Sequence, residues 1–130
     1  MYICIDKYGK FISTYEYQPT RIFPVAYNLY VDANYYIYIY VSGNIIDYYS
    51  NGKVYCFGDA TVDYYNDGRY YKIGNFYFNY YQDGRIYNLG ESTFDYYNYG
   101  NLAGRIYKIG NTVFDYYSDG RINKIGDNYF

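Results

Sequence analysis

The sequence predicts an all-β protein, an antiparallel β-meander of tandem 16-residue hairpin repeats forming one extended sheet that a single layer would satisfy. Three observations carry this expectation. The phrase FDYYSDGRINKIG, Phe114 to Gly126, has four earlier versions beginning at Ile46, Val62, Phe78 and Phe94, so the period is sixteen with one four-residue insertion. A fixed short period marks one supersecondary unit repeated, each copy burying its face against its neighbours. The chain also holds 28 tyrosines and 8 phenylalanines, which favour strands over helices. Finally, the triplets SNG, NDG, QDG and SDG follow the tyrosine pair in every copy but the fourth, as in hairpin loops that close on a left-handed glycine.

Residues 1–44 read as an N-terminal β capping segment, because the end units of an array are usually atypical. Tyr2 to Asp6 and Lys10 to Tyr17 flank KYGK as a hairpin in which Gly9 supplies the positive φ. Pro19 and Pro24 belong in a connection or on an edge strand. The run YYIYIYV, Tyr35 to Val41, alternates as a strand does and falls well short of the ~20 apolar residues of a membrane helix.

Residues 45–130 read as five tandem hairpins, the fourth twenty residues long. If side chains alternate strictly and every repeat shows the same faces, sixteen divides into two five-residue strands and two three-residue loops. That places strands at Val113 to Tyr117 and Arg121 to Ile125, with loops SDG and GNT. A two-residue second turn is rejected on the same ground, since it flips the faces at each repeat.

In this register one face carries a row in which Tyr117 lies between Arg105 and Arg121 and which continues through Tyr97, Arg85, Tyr81, Arg69 and Tyr65, suited to ring and guanidinium stacking. Asp63, Asp95 and Asp115 are expected as strand partners of arginine, and Val113 lies between Ile109 and Ile125. The other face sets Tyr116 between Ile106 and Ile122, and Phe114 between Lys108 and Lys124. Neither face is then dry. Cross-strand pairs contribute about 0.2–1 kcal/mol each, so a bare layer is marginal and one face should be covered by the N-terminal strands, a second copy or another protein. In the fourth repeat NYGNLAG, Asn98 to Gly104, makes a protruding loop bearing Tyr99 and Leu102. The sequence given stops at Phe130, at the start of a sixth copy, as expected of a fragment or of a last strand kept short against edge pairing.

Composition narrows the chemistry. Histidine is absent, which removes the usual general acid and base near neutral pH and the commonest metal ligand. Cys4 and Cys56 are too few for a zinc cage or a disulfide framework and read first as free strand cysteines, with a single pair between them as the alternative if the fold brings them together. Aspartates recur once per repeat, and Asp67, Asp83 and Asp119 have turn positions, so no catalytic, metal or cofactor site is expected. A net charge of -2 supplies no field for nucleic acid. The first residues lack the features of a secretory signal, which makes a cytoplasmic location the default, although export without a signal leaves no trace in sequence.

Several resemblances rest on these phrases. YICIDKYGKFI resembles one unit of the bacterial WG-type β-repeats, here without the tryptophan. The aromatic hairpins from Ile46 to Phe130 are similar in style to choline- and glucan-binding repeats of bacterial surface proteins, which implies sugar or choline pockets between rings. DYYSDGRI resembles the YD repeat of Rhs-type shells. The function expected is a non-enzymatic structural or scaffold module that docks an aromatic sheet surface against a protein partner or further copies of itself; the alternative is a carbohydrate or cell-wall-ligand binding module. Its binding surface is expected at Tyr64, Tyr80, Tyr96 and Tyr116 on one face. On the other it is expected at Tyr65, Tyr81, Tyr97 and Tyr117 with Arg69, Arg85, Arg105 and Arg121.

Overall fold

The computed structural model describes residues 1–130. The fold is all-β and antiparallel, and its strands form two sheets. The first sheet holds β1 (Tyr2–Ile5), β2 (Phe11–Tyr15), β3 (Phe23–Ala26), β4 (Leu29–Val31) and β5 (Ile37–Tyr40), in the order β2-β1-β5-β4-β3. Pro24 accordingly sits on an edge strand, where its missing N–H costs no ladder bond.

The second sheet is the expected meander, eleven strands in sequence order. It begins with β6 (Ile46–Tyr48), then runs through the hairpins β7 (Val54–Phe57) with β8 (Ala60–Tyr64), β9 (Tyr70–Ile73) with β10 (Phe76–Tyr80), β11 (Ile86–Leu89) with β12 (Ser92–Tyr96), and β13 (Ile106–Ile109) with β14 (Thr112–Tyr116). It ends with β15 (Ile122–Ile125) and β16 (Asn128–Tyr129). A short 3-10 turn, Gly100–Leu102, occupies the fourth repeat's insertion, where Tyr99 is 84% exposed and Leu102 is half-buried.

The register differs from the strict-alternation expectation, and the reason is a β-bulge in every repeat. Asp115 pairs with Lys124 and Tyr116 with Ile122, so Asn123 is an extra residue without a partner. The same displacement leaves Tyr55, Tyr71, Tyr87 and Tyr107 as the extra residues of the earlier repeats. The second turn does have two residues, Gly110 and Asn111 between the paired Ile109 and Thr112, with glycine at φ 56 as primed hairpin turns require. Its change of parity is undone by the bulge, which adds one residue to the opposite strand. Strands therefore span Thr112–Tyr116 and Ile122–Ile125 rather than Val113 to Tyr117 and Arg121 to Ile125.

Correcting the register sorts the side chains. Phe114 pairs with Ile125, not with Lys124, and Val113 pairs with Lys108, not with Ile109. Each second strand points its first and fourth residues inward, as in Ile106 and Ile109, while the two between them stay outside. The inner face is then dry, contrary to the expectation of two mixed faces: Phe57, Val62, Ile73, Phe78, Leu89 and Phe94 are fully buried. They meet Ile3, Ile5, Leu29, Val31, Ile37 and Ile39 of the first sheet in one core of 23 residues. The N-terminal strands are thus the cover that the single layer lacked, and fully burying each such side chain contributes roughly 1.5–3 kcal/mol.

The first sheet also repeats the turn of the second. In the tandem hairpins Tyr65 N–H donates to the Arg69 carbonyl and Gly68 N–H to the Tyr65 carbonyl. Asp6 with Lys10 and Gly9 with Asp6 make the same pair of bonds, and so do Asp32 with Tyr36 and Tyr35 with Asp32. Here the carboxylate has moved to the turn's first position, where Asp6 accepts the N–H groups of Tyr8 and Lys10 at 2.9 and 3.0 Å. The capping segment is therefore assembled from the same turn, spelled with different residues.

Candidate functional site

Each tyrosine pair joins hairpins. Between hairpins only two residue pairs form next to the glycine turn, such as Phe76 with Ile73 and Tyr77 with Lys72, after which the strands part. Tyrosine hydroxyls bond the carbonyls this opens. Tyr64, Tyr80 and Tyr96 donate backward to Val54, Tyr70 and Ile86 at 2.9, 2.8 and 2.7 Å, and Tyr116 donates to Ile106. Tyr65, Tyr81, Tyr97 and Tyr117 donate forward to Phe78, Phe94, Phe114 and Phe130 at 2.7, 3.0, 3.5 and 2.6 Å. Burial pushes the phenols of Tyr80, Tyr96 and Tyr116 well above their ordinary range.

The expected binding surface is accordingly redistributed. Tyr64, Tyr80 and Tyr116 point inward and pack against the core, and Tyr96 is part of it. An added Cβ at Gly9, in the tip of the N-terminal hairpin, would lie 2.9 Å from the Tyr80 hydroxyl, so these rings are covered rather than offered. Tyr65, Tyr81 and Tyr97 are half-buried, and Tyr117 lies at the exposed end of the row.

The arginines stack as the sequence suggests, but on more than one neighbour. Arg69 and Arg85 lie 4.2 and 4.4 Å from the ring centroids of Tyr80 and Tyr96 in the following repeat, and 5.8 and 5.7 Å from Tyr65 and Tyr81. Arg121 lies 5.1 Å from Tyr117, while Arg105 lies 5.5 Å from Tyr35 of the first sheet. The carboxylate partners of Arg69, Arg85 and Arg121 are the turn aspartates, not the strand ones. Asp67, Asp83 and Asp119 accept from the backbone N–H groups and the Nε of Arg69, Arg85 and Arg121. Those contacts, the backbone N–H first, hold the three carboxyls below their usual range. Asp63 instead faces Lys72 at 3.8 Å.

Left out of the expected binding surface is an outward row at the bulges. Tyr55, Tyr71, Tyr87 and Tyr107 occupy the bulge position, which turns a side chain out of the pleat, and they are 39–44% exposed. Each stands edge to face against the second tyrosine of its own repeat's pair, Tyr49, Tyr65, Tyr81 and Tyr97, at 5.2, 5.1, 4.9 and 5.2 Å between centroids. Tyr77 extends the row from Tyr71 at 5.5 Å. No family model, curated protein or solved structure matches this chain.

Two open grooves flank the sheets. One of about 680 Å3 runs along the glycine-asparagine turns and is lined by Tyr27, Tyr40, Lys72, Phe76 and Glu91 among others. The other, about 600 Å3, lies between the N-terminal hairpin tip and the turns at Gly68 and Gly84. No group of three or more acidic or cysteine side chains is placed to hold a metal ion, and no helix is long and apolar enough to cross a membrane. Cys4 and Cys56 are free, and burial raises the Cys4 thiol to about 11, which leaves it a poor nucleophile near neutral pH.

Proposed function

We propose that the protein is a non-enzymatic binding scaffold whose outward face, centred on Tyr55, Tyr71, Tyr87 and Tyr107, docks against a protein partner. The observation that carries this reading is the row itself: four large rings at equivalent bulges, partly exposed and each braced by a second ring. Tyrosine is enriched at protein contacts because it buries much area, keeps a polar tip and loses little rotamer freedom on binding. Here the bracing tyrosines are themselves held by hydroxyl bonds to Val62, Phe78, Phe94 and Phe114, so part of the ordering cost is met before a partner arrives. Charges of both signs border the rings, Asp63 opposite Lys72 and Asp95 opposite Lys108, which suits a mixed protein surface better than a polyanion.

The test compares the wild type with the Tyr71→Ser, Tyr87→Ser double variant. Proteins retained from the native source are identified, purified and titrated against both. The reading predicts at least tenfold weaker binding by the variant, whose circular dichroism stays that of the folded protein. Retention of the wild type on choline or glucan resin, lost in the variant, would replace the reading with the carbohydrate one. Concentration-dependent growth in sedimentation, also lost in the variant, would make the partner a second copy. Equal partner binding by both proteins would remove the row from any role.

A further inference from the structure

A cluster of basic side chains lies on the seam between the two sheets, away from the outward tyrosines. In repeats two, three and five the arginine after the turn is neutralised within two residues: Nε of Arg69, Arg85 and Arg121 donates to Asp67, Asp83 and Asp119 at 2.8, 2.8 and 2.7 Å. The fourth repeat breaks this rule. Its insertion puts Ala103 two residues before Arg105, so no carboxylate stands in that place. Arg105 makes no side-chain hydrogen bond, and its Nε–H is buried without an acceptor. A buried donor left unpaired is costly, and more so when it belongs to a charged group.

Other positive charge converges on the same spot. Lys7, from the N-terminal hairpin, donates its Nζ to the carbonyl of Gly104 at 2.8 Å, next to Arg105 in the chain. The fields of Arg85 and Arg105 add to burial in lowering the pKa of Lys7. Asp6 and Asp83 are the carboxylates near enough to oppose them, and Asp83 is already engaged with Arg85. The Arg105 guanidinium is held in place from two sides, by the Tyr35 ring and by the turn at Gly120, where an added Cβ would lie 2.7 Å from Nη2. Tyr35 is itself fixed by a 2.7 Å bond from its hydroxyl to the Gly120 carbonyl and by stacking on Tyr116. The arrangement is thus two immobilised cations with a third nearby, built from three separate parts of the chain.

We propose that this seam binds an oxyanion of the phosphate class, with Arg105 and Lys7 as its donors. A planar guanidinium suits the tetrahedral oxygens of such an anion, and an ammonium beside it contributes a compact charge. The bound anion takes the place that the turn aspartate holds in the neighbouring repeats. The four-residue insertion, which otherwise only lengthens a loop, is then the change that opened the site.

Calorimetric titration of the full chain with inorganic phosphate, at ionic strength held constant with chloride, tests this. Saturable binding with one site is expected for the wild type, with phosphate raising the melting temperature above that in chloride. Arg105→Gln and Lys7→Gln should each weaken binding at least tenfold. Ala103→Asp is the sharper variant, because it restores the missing carboxylate: it should fold, melt no lower than the wild type in chloride, and lose the response to phosphate. Phenyl phosphate titrated in parallel separates a free ion from a phosphomonoester carried on a larger molecule, and binding of either supports the site. Binding of neither, or unchanged phosphate binding by Ala103→Asp, overturns it. Tyr71→Ser and Tyr87→Ser leave phosphate binding unaltered, so this site and the outward face stand or fall separately.

Discussion

Tyr96 and Tyr87 belong to neighbouring strands and are the same residue type, yet one is buried in the core and the other stands outside it. Tyr96 lies in the core, and its hydroxyl closes a 2.7 Å bond to the Ile86 carbonyl where two hairpins part. Tyr87 sits at a bulge, 44% exposed, with a ring edge for a neighbour and no hydroxyl partner within the protein. The contrast teaches that tyrosine content alone says little about a binding face. What separates the two is whether the hydroxyl has a backbone carbonyl to reach. Tyr48 shows this from the other side: it has the position of Tyr64 and Tyr96, but no tandem hairpin precedes it, and it is 62% exposed.

The largest way to strain this comparison is alkali. Burial raises the phenols of Tyr64, Tyr80, Tyr96 and Tyr116, whereas in the unfolded chain they titrate near the ordinary value of about 10. The folded state therefore keeps protons that the unfolded state releases. Its stability is complete below about pH 10 and falls as pH rises through the raised folded values. Cooperative unfolding above pH 10 is expected, with tyrosinate absorbance for the inner tyrosines appearing together with the loss of circular dichroism. Smooth ionisation of all 28 tyrosines in a chain that stays folded would contradict the assignment of an inner set.

Next in size is the removal of one inner ring. Tyr96→Ala should destabilise by about 3–5 kcal/mol, the usual cost of deleting a buried aromatic. Tyr96→Phe isolates the hydroxyl: it strands the Ile86 carbonyl and should cost about 1–2 kcal/mol in urea unfolding. Tyr48→Phe is the internal control and should change stability by less than about 0.5 kcal/mol. Equal losses from Tyr96→Phe and Tyr48→Phe would mean that the hydroxyl bonds between repeats contribute nothing.

These expectations also mark which parts of the fold were legible in sequence. The period, the first glycine turn of each repeat, the hairpin at KYGK and the edge position of Pro24 follow from residues whose backbone demands are strong, and these appear as expected, whereas the second turn has two residues instead of three. The bulge was hidden because the extra residue is usually tyrosine, as good a strand former as its neighbours, and a period of sixteen closes equally well with three-residue turns. One signal pointed to it: IYKI places Ile106 and Ile109 three apart, and strict alternation cannot bury both. The turn aspartates were legible as turn formers, but not as partners of arginine, since that bond depends on the backbone bend bringing positions two apart together. The cap's kinship with the repeats was obscured by Tyr35, which takes φ 73 in the place glycine holds elsewhere.

Smaller effects belong to the outer set. Tyr87→Ser breaks one edge-to-face pair at an exposed position and should cost no more than about 0.5–1 kcal/mol, with the alkaline transition unmoved. A loss like that of Tyr96→Ala would show that the outward row is structural after all and would remove it as a candidate binding face.

The smallest change is an addition rather than a removal. The fifth repeat has Asn123 at the bulge where the other four have tyrosine, and Tyr117, the ring that would brace it, stands 38% exposed without such a partner. Asn123→Tyr supplies the missing ring at a position whose backbone already has the bulge. The expected gain is a few tenths of a kcal/mol, at the low end for an aromatic pair because both rings stay partly in water. Nuclear Overhauser contacts between residues 117 and 123 would report the new pair directly. Because the substitution lengthens the row without touching the core, any partner that lies along the outward face should bind it at least as tightly as the wild type, whereas one held elsewhere is indifferent. A fall in stability would mean instead that the fifth bulge differs from the other four, and that asparagine there serves the local backbone rather than simply ending the row.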